Sequence, residues 1–370
     1  SGGSTISPSS GTFGDATHVA QVTMSGGSAT LSSVGINFPA TTGINLRGTY
    51  ASRPAAGTLG RIYLCTDFPF SYFDNGSTWL LMYGGECFSA PPFAAYTVYG
   101  KSLVIRQEGD VIFGLHAPND ITLTTNQLSV ATQPATLNAS SPWVVDCAMT
   151  LEPQAPLGNY PSVGCVVTTG TTVGTSTVRA CLTYMKNNGY VASLWTLGAT
   201  SRGSSFIGSG DSTIQATGSL YFRGRLLNDG VFMHHQYSMD GVLWTWFASI
   251  AAATYSQFGF FVGNDSFPGN MYLGARVLKN TFTTSLNVPQ TAITNITSAG
   301  TNIWLVTSPS HGLLQGDNVF ISGVAGISGI NEVVNTAPSR VVIKDANSFY
   351  VYAGVSGTYT SGGIVTCVSR

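Results

Sequence analysis

The sequence predicts an all-β, multi-domain protein. Three observations carry this: only 8% of the residues are charged, Gly, Ser and Thr crowd between short β-branched and aromatic runs, and those runs are separated by Asn-Gly and Asp-Gly turn pairs. Gly, Ser and Thr are weak helix formers, whereas Val, Ile and aromatic side chains suit a pleated surface. A length of 370 residues exceeds what one core usually holds, so several domains are expected. Apolar residues at 43% exclude a disordered chain.

Charge narrows the partners. Fifteen Lys plus Arg stand against 16 Asp plus Glu, and no basic run is present that would neutralise a row of phosphates, so nucleic acid is not an expected partner. Near-zero net charge promotes association, which favours a chain destined for an assembly. No stretch reaches the roughly 18 apolar residues of a membrane span. The most apolar one, Val242–Ala253, is interrupted by Thr245 and Ser249 and reads as a strand, so membrane insertion is not expected. Ser1–Thr5 has neither the basic nor the apolar part of a signal peptide.

Residues 1–48 read as a Gly/Ser/Thr-rich arm with two weak alternating runs, His18–Val22 and Ala29–Val34. Such an arm cannot bury a core alone and is expected to attach to a larger particle or to pair with another subunit. Residues 49–92 read as a β-hairpin module. Gly60–Asp67 alternates as a strand, Phe70–Phe73 meets Asp74-Asn75-Gly76, and the chain returns through Ser77–Tyr83. Asn-Gly predicts a tight turn with two positive-φ positions, and aromatic residues on both arms pair across it.

Residues 93–285 read as a two-sheet jelly-roll sandwich. Eleven strand-sized runs follow one another: Lys101–Ile105, Asp110–Leu115, Trp143–Leu151, Ser162–Thr168, Thr177–Lys186, Tyr190–Leu197, Leu220–Leu226, Val231–Ser238, Val242–Phe247, Phe258–Val262 and Met271–Leu278. Hairpin turns are expected at Asn187-Asn188-Gly189, Asn228-Asp229-Gly230 and Met239-Asp240-Gly241. Residues 286–370 read as a small β-barrel, with Ile303–Thr307, Val319–Val324 and Val341–Val351 as strands and Gly362–Val368 closing it.

Three of these units resemble known modules. Arg53-Pro54, the Gly57–Gly60 turn, Arg61-Ile62-Tyr63, Thr66-Asp67, Tyr72, Asp74-Asn75-Gly76 and Trp79 resemble a module of tailed-bacteriophage fibre and appendage proteins. Tyr237–Trp246 leading to Phe258–Asn264 resembles the concanavalin A/laminin-G type of jelly roll. His311-Gly312-Leu313, Gly316-Asp317, Gly323-Val324 and Asp345–Phe349 resemble the small β-barrel that recurs in phage tail and fibre proteins. The resemblances imply a virion location and a non-enzymatic structural protein: a tail fibre, spike or tail-tip component involved in host attachment. They also imply other virion proteins as partners and a homotrimer. A capsid decoration or head-fibre protein is the alternative within virions; a secreted carbohydrate-binding lectin or a polysaccharide depolymerase is the alternative from another class.

Few residues offer chemistry. His234 and His235 are neighbours on a strand, so they face opposite sides and cannot both ligate one ion. His311 sits in a turn, where a ring hydrogen bond to backbone is expected. Asp229 and Asp240 lie in turns, where Asp bonds its own backbone; Asp211, Asp229, Asn264 and Asp265 are the oxygens available to a Ca²⁺ site of laminin-G type. Six cysteines match no zinc spacing, and Cys147, Cys165 and Cys181 on successive strands are expected as buried thiols. No catalytic residue, cofactor or metal is therefore expected. A host surface glycan remains a possible ligand, with Trp195, Trp244 and Trp246 as its candidate contact aromatics; filling of the sandwich core is the other reading of Trp244 and Trp246.

Overall fold

The computed structural model describes residues 11–13, 20–25, 28–33, 45–68, 70–83, 86–99, 103–116, 130–153, 161–184, 189–196, 221–264, 273–286, 288–333 and 336–370. Almost all of these lie in strands and the turns between them, and the only helical pieces among them are two short 3₁₀ turns, Tyr50–Ser52 and Phe93–Ala95. The chain divides into two compact units, Ser1–Ala90 and Pro91–Arg370.

In the first unit, β1 (Gly11–Phe13), β2 (Ala20–Ser25) and β3 (Ser28–Ser33) form a small antiparallel meander. A five-stranded sheet follows, with β4 (Asn45–Gly48) parallel to β5 (Ile62–Cys65), then β6 (Ser71–Asp74), β7 (Trp79–Tyr83) and β8 (Glu86–Phe88) antiparallel in turn. The residues of the appendage-like motif lock into one another. Arg61 pairs with the fully buried Asp74 at 2.5 Å, and Asp74 also accepts from the backbone N–H groups of Gly57, Thr58 and Gly76. The Arg53 guanidinium lies 4.6 Å from the Tyr50 ring and 4.3 Å from the Tyr72 ring, and the Trp79 indole N–H donates to the Pro54 carbonyl at 2.7 Å. Asp67 accepts from the Tyr50 N–H. The expected tight Asn-Gly turn is instead a four-residue loop between Asp74 and Trp79, which pair directly. Only Gly76 takes positive φ, at 91°, while the Asn75 side chain accepts from the N–H groups of Ser77 and Thr78. The Asn side chain closes the loop in place of a left-handed backbone.

In the second unit the sandwich strands are β9 (Thr97–Tyr99), β10 (Leu103–Glu108), β11 (Val111–His116), β12 (Val130–Leu137), β13 (Trp143–Pro153), β14 (Pro161–Thr168), β15 (Thr177–Tyr184), β16 (Gly189–Thr196), β17 (Tyr221–Asn228), β18 (Phe232–Tyr237), β19 (Thr245–Ala251), β20 (Tyr255–Asn264) and β21 (Leu273–Thr283). Seven of them form one sheet in the order β10-β11-β21-β13-β17-β18-β19, and six form the other in the order β16-β15-β14-β20-β12-β9. Alternation decides what faces the core. Trp143, Val145, Cys147 and Met149 on β13 point inward and meet Val163, Cys165, Val167, Phe258, Phe260 and Val262 of the opposite sheet. Cys147, Cys165 and Cys181 are buried thiols, and burial pushes those of Cys147 and Cys181 well above their ordinary pKa. One polar link crosses the core: Asn280 donates to the Gly259 carbonyl at 3.0 Å and accepts from the Tyr96 hydroxyl at 2.8 Å.

The last seven strands, β22 (Gln290–Ala292), β23 (Asn295–Gly300), β24 (Ile303–Thr307), β25 (Asn318–Ser328), β26 (Ser339–Asp345), β27 (Ser348–Tyr352) and β28 (Ser356–Cys367), run in the order β22-β28-β25-β26-β27-β24-β23. Ile293 and Thr294 link the two ends of this order, donating to the Gly363 and Thr307 carbonyls respectively. A second core forms inside, and Val144 and Leu227 from the outer face of the sandwich belong to it. His311 holds its turn through both ring nitrogens: Nδ1 accepts from the Leu313 N–H, so Nε2 donates to the Asp345 carbonyl.

Two outcomes are expected. A Cβ at Gly259 would lie 1.9 Å from the Ala131 carbonyl oxygen, so Gly259→Ala forces β12 and β20 apart and lowers unfolding stability by about 3 kcal/mol, read by urea denaturation. Asp74→Asn leaves the Arg61 charge buried without a counter-ion and destabilises the first unit by about 3 kcal/mol. Desolvation opposes ionisation of Asp74, but its bonds from Thr58, Arg61, Gly76 and Gly57 outweigh it and hold its pKa below the ordinary 3.8. The contribution is thus present above that value and lost as pH falls through the lower folded value. An acid titration followed by Trp79 fluorescence shows a transition that the variant lacks.

Candidate functional site

Charged side chains converge on the outer face of the seven-stranded sheet. Arg106 on β10, Arg276 and Lys279 on β21, and Arg223 and Arg225 on β17 place five cations there against the carboxylates of Glu108 and Asp146. They share one face because the register alternates: Arg106 opposes Phe113, which opposes Arg276, which opposes Thr150. At one end Glu108 bridges Arg106 at 2.5 Å and Arg276 at 3.1 Å, and both guanidiniums lie over the Phe113 ring, at 4.7 and 5.5 Å. In the middle Lys279 pairs with Asp146, whose second oxygen has no hydrogen-bond partner. At the other end Arg225 and Arg223 lie 4.1 and 5.7 Å from the Trp244 ring. Burial draws Arg225 down to about 10, with Asp146 acting in the opposite direction. Arg106 is 66% exposed, Lys279 28% and Arg276 17%, whereas Arg223 and Arg225 are buried, so this strip reaches solvent at its Arg106 end.

The rest of that face is covered by the C-terminal barrel. Gln236 donates to the Val368 carbonyl at 2.6 Å, Arg225 to the Arg370 carbonyl at 2.8 Å, and the Trp244 N–H to the Ser369 carbonyl at 3.0 Å. Phe320 of β25 stacks on the His234 ring at 4.7 Å and meets Trp246 edge-on at 5.6 Å. This corrects the role expected of the tryptophans. Trp244 is 5% exposed and sits beneath two arginines, and Trp246 is half-buried against Phe320, so neither presents a free ring to a sugar. Nor do they fill the sandwich core: neither belongs to it, while the next residue, Phe247, packs inward. The Trp195 side chain lies outside the described residues; its backbone pairs with Val178.

At the same junction Asp229, His234 and Glu332 come together. His234 Nε2 is 3.3 Å from Asp229 Oδ2 and its Nδ1 is 3.5 Å from Glu332 Oε1, with all three side chains at most 1% exposed. Asp229 stays ionised because His234 and the N–H groups of Phe232 and Val231 outweigh its desolvation. Burial, then the adjacent Asp229 carboxylate, pushes Glu332 up to about 9, offset in part by the Ser249 hydroxyl. His235 faces the other way, beside Phe247, and burial draws it down to about 3. Of the oxygens considered for Ca²⁺, Asp211, Asp265 and the Asn264 side chain lie outside the described residues, and Asp229 is committed to this cluster. Asp240 caps its turn, accepting from the N–H groups of Val242 and Leu243.

Neither group was assigned from the sequence. Arg223-Gly-Arg225 and Arg106-Gln-Glu108 carry a period-two signal that places each pair on one face. Glu332 lies far along the chain from His234, and nothing local marks it.

Neither protein-family models nor curated protein sequences give a match to this chain. Among solved structures it is similar to the alginate lyase AlgAT5 of polysaccharide lyase family 7 (12% identity, 54% of this chain and 89% of that one, TM-score 0.31). It is also similar to the CBM2 module of the evolved Dit of Lactobacillus casei BL23 phage J-1 (7%, 52% and 90%, TM-score 0.34) and to the GH43 protein BlXynB of Bacillus licheniformis (9%, 75% and 65%, TM-score 0.37). The likeness is one of β-sandwich architecture. Because carbohydrate-cleaving enzymes stand among these structures, the expectation of a chain without enzymatic activity is corrected: a low overall charge count does not exclude catalysis, since a cleft needs only a few converging side chains.

Phe320→Ala removes the ring shared by His234 and Trp246. Stability of the Pro91–Arg370 unit is expected to fall by about 3–5 kcal/mol, with a red shift of tryptophan emission before global unfolding.

Proposed function

We propose that this chain engages an acidic polysaccharide through the cationic strip on the outer face of its seven-stranded sheet. The observation that carries the reading is that Arg106, Arg276 and Lys279 stand together on one face of the sheet, with Arg106 66% exposed to solvent. Guanidinium forks bind carboxylate or sulfate groups bidentately, which suits uronate or sulfated sugars. Arg106 and Arg276 both reach the Glu108 carboxylate and so form one cationic end, with Lys279 further along β21. Single-stranded nucleic acid fits less well, because it binds by stacking on open aromatic faces. Phe113 and Trp244 are buried, and their rings are already occupied by guanidiniums.

Within this reading the chain belongs to the appendage of a tailed-phage particle, as a fibre, spike or tail-tip component meeting a host surface glycan. Support comes from the motif residues of the first unit. Arg53, Arg61, Asp74 and Trp79 each have a specific partner, as a rigid repeated module requires.

Calorimetry with polyuronate, sulfated and neutral glycans tests the proposal, with release of reducing ends assayed in the same samples. Acidic glycans are expected to bind with affinity that falls as salt rises. Arg106→Ala with Lys279→Ala is expected to weaken binding at least about tenfold without loss of the β-type circular dichroism. Equal binding of neutral glycans, unchanged affinity in the double variant, or equally tight binding of single-stranded DNA would overturn it.

A further inference from the structure

The cluster formed by Asp229, His234 and Glu332 is used neither by the cationic strip nor by either core. Its atoms are poorly served by protein alone. Asp229 Oδ2, both ring nitrogens of His234 and both oxygens of Glu332 are buried with only long contacts, 3.3 Å from His234 to Asp229 and 3.5 Å from His234 to Glu332, beside the Ser249 hydroxyl. Buried polar atoms so loosely paired cost roughly 1–3 kcal/mol each, which a further ligand drawing them together would offset. The other Asp229 oxygen is committed to the N–H groups of Val231 and Phe232, which leaves Oδ2 aimed at His234.

Donor chemistry defines that ligand. Two carboxyl groups and one imidazole gathered in an enclosed site form a donor set for a divalent cation. Calcium takes six to eight oxygen ligands and magnesium retains several waters, neither of which a closed cluster of three side chains supplies. Zinc takes four ligands from mixed imidazole and carboxylate donors. Asp229 Oδ2, one His234 nitrogen and the two Glu332 oxygens make four, and one ligand atom from each residue already lies within 4.8 Å of the others.

We propose that Asp229, His234 and Glu332 bind a zinc ion that fastens the C-terminal barrel to the sandwich. Asp229 and His234 come from the β17–β18 hairpin, and Glu332 from the segment after β25, so the ion joins two parts of the fold that also meet through Val144, Leu227, Gln290, Phe320 and the C-terminal tail. His235 points to the opposite face and contributes nothing.

The test uses the full chain, loaded with zinc and then dialysed against metal-free buffer. Stoichiometric zinc by elemental analysis is expected, together with tetrahedral d–d absorption on cobalt substitution and a lower melting midpoint on adding EDTA. Glu332→Gln keeps the size of the side chain; it should retain the β-type circular dichroism, lose the zinc and no longer respond to EDTA. Zinc retention no greater in the wild type than in this variant, or a wild-type midpoint that EDTA leaves unmoved, would show that a shared proton rather than a metal holds the cluster. The cobalt spectrum is read on the wild type alone, so a poorly folding variant does not protect the proposal.

Discussion

The docking of the C-terminal barrel on the outer face of β17, β18 and β19 is the contact on which the rest of the second unit depends. An antiparallel sheet normally leaves one face to water. Here that face is split. One half, carrying Val144, Leu227, His234, Gln236 and Trp246, is sealed by Phe320 and the chain terminus, while the far edge keeps Arg106 exposed. Docking turns His234 from a surface residue into a buried one, brings Glu332 to it, and fixes Arg225 through the Arg370 carbonyl at the border of the cationic strip.

Because charged residues are scarce, the placement of each has consequences. Removing one partner of a buried ion pair is expensive, since the other is left uncompensated. Arg61 with Asp74, Lys279 with Asp146, and Arg276 with Glu108 obey that constraint. On the strip Phe113 and Trp244 add ring faces to the arginines, and Arg225 is held in addition by Gln236 and the Arg370 carbonyl. Cation–π contact at a partly exposed site contributes about 0.5–1 kcal/mol, much less than a buried counter-ion.

The fold class was legible because period-two alternation is a local signal. Trp143, Val145, Cys147 and Met149 announce an inward face from sequence alone. β12 was missed because Pro134 breaks its pattern; the structure accommodates this proline, exposed, where the register with β20 shifts. Val242 and Leu243 misled in the opposite sense, being apolar yet exposed in the loop that Asp240 caps, so β19 begins only at Thr245. Core filling was one reading of Trp244 and Trp246, but periodicity cannot tell a face buried against the opposite sheet from one buried against a later part of the chain. The site was less legible still. Arg223 and Arg225 mark a face locally, whereas their meeting with Arg276 and Arg106 depends on strand order, which alternation does not encode.

Strand order also explains why the chemistry of this chain cannot be read from its composition. Neighbours in the seven-stranded sheet are joined across long sequence separations: β11 pairs with β21, and β21 with β13. Glu108 therefore meets Arg276, and Asp146 meets Lys279, though more than a hundred residues separate the partners of each pair. A sandwich assembled in this way can gather its few ionisable groups on one surface while the average along the chain stays near neutral. Low charge density is thus compatible with a concentrated site, provided that the interleaved strands bring the charges to one face and a second layer, here the barrel, fixes the boundary of that face.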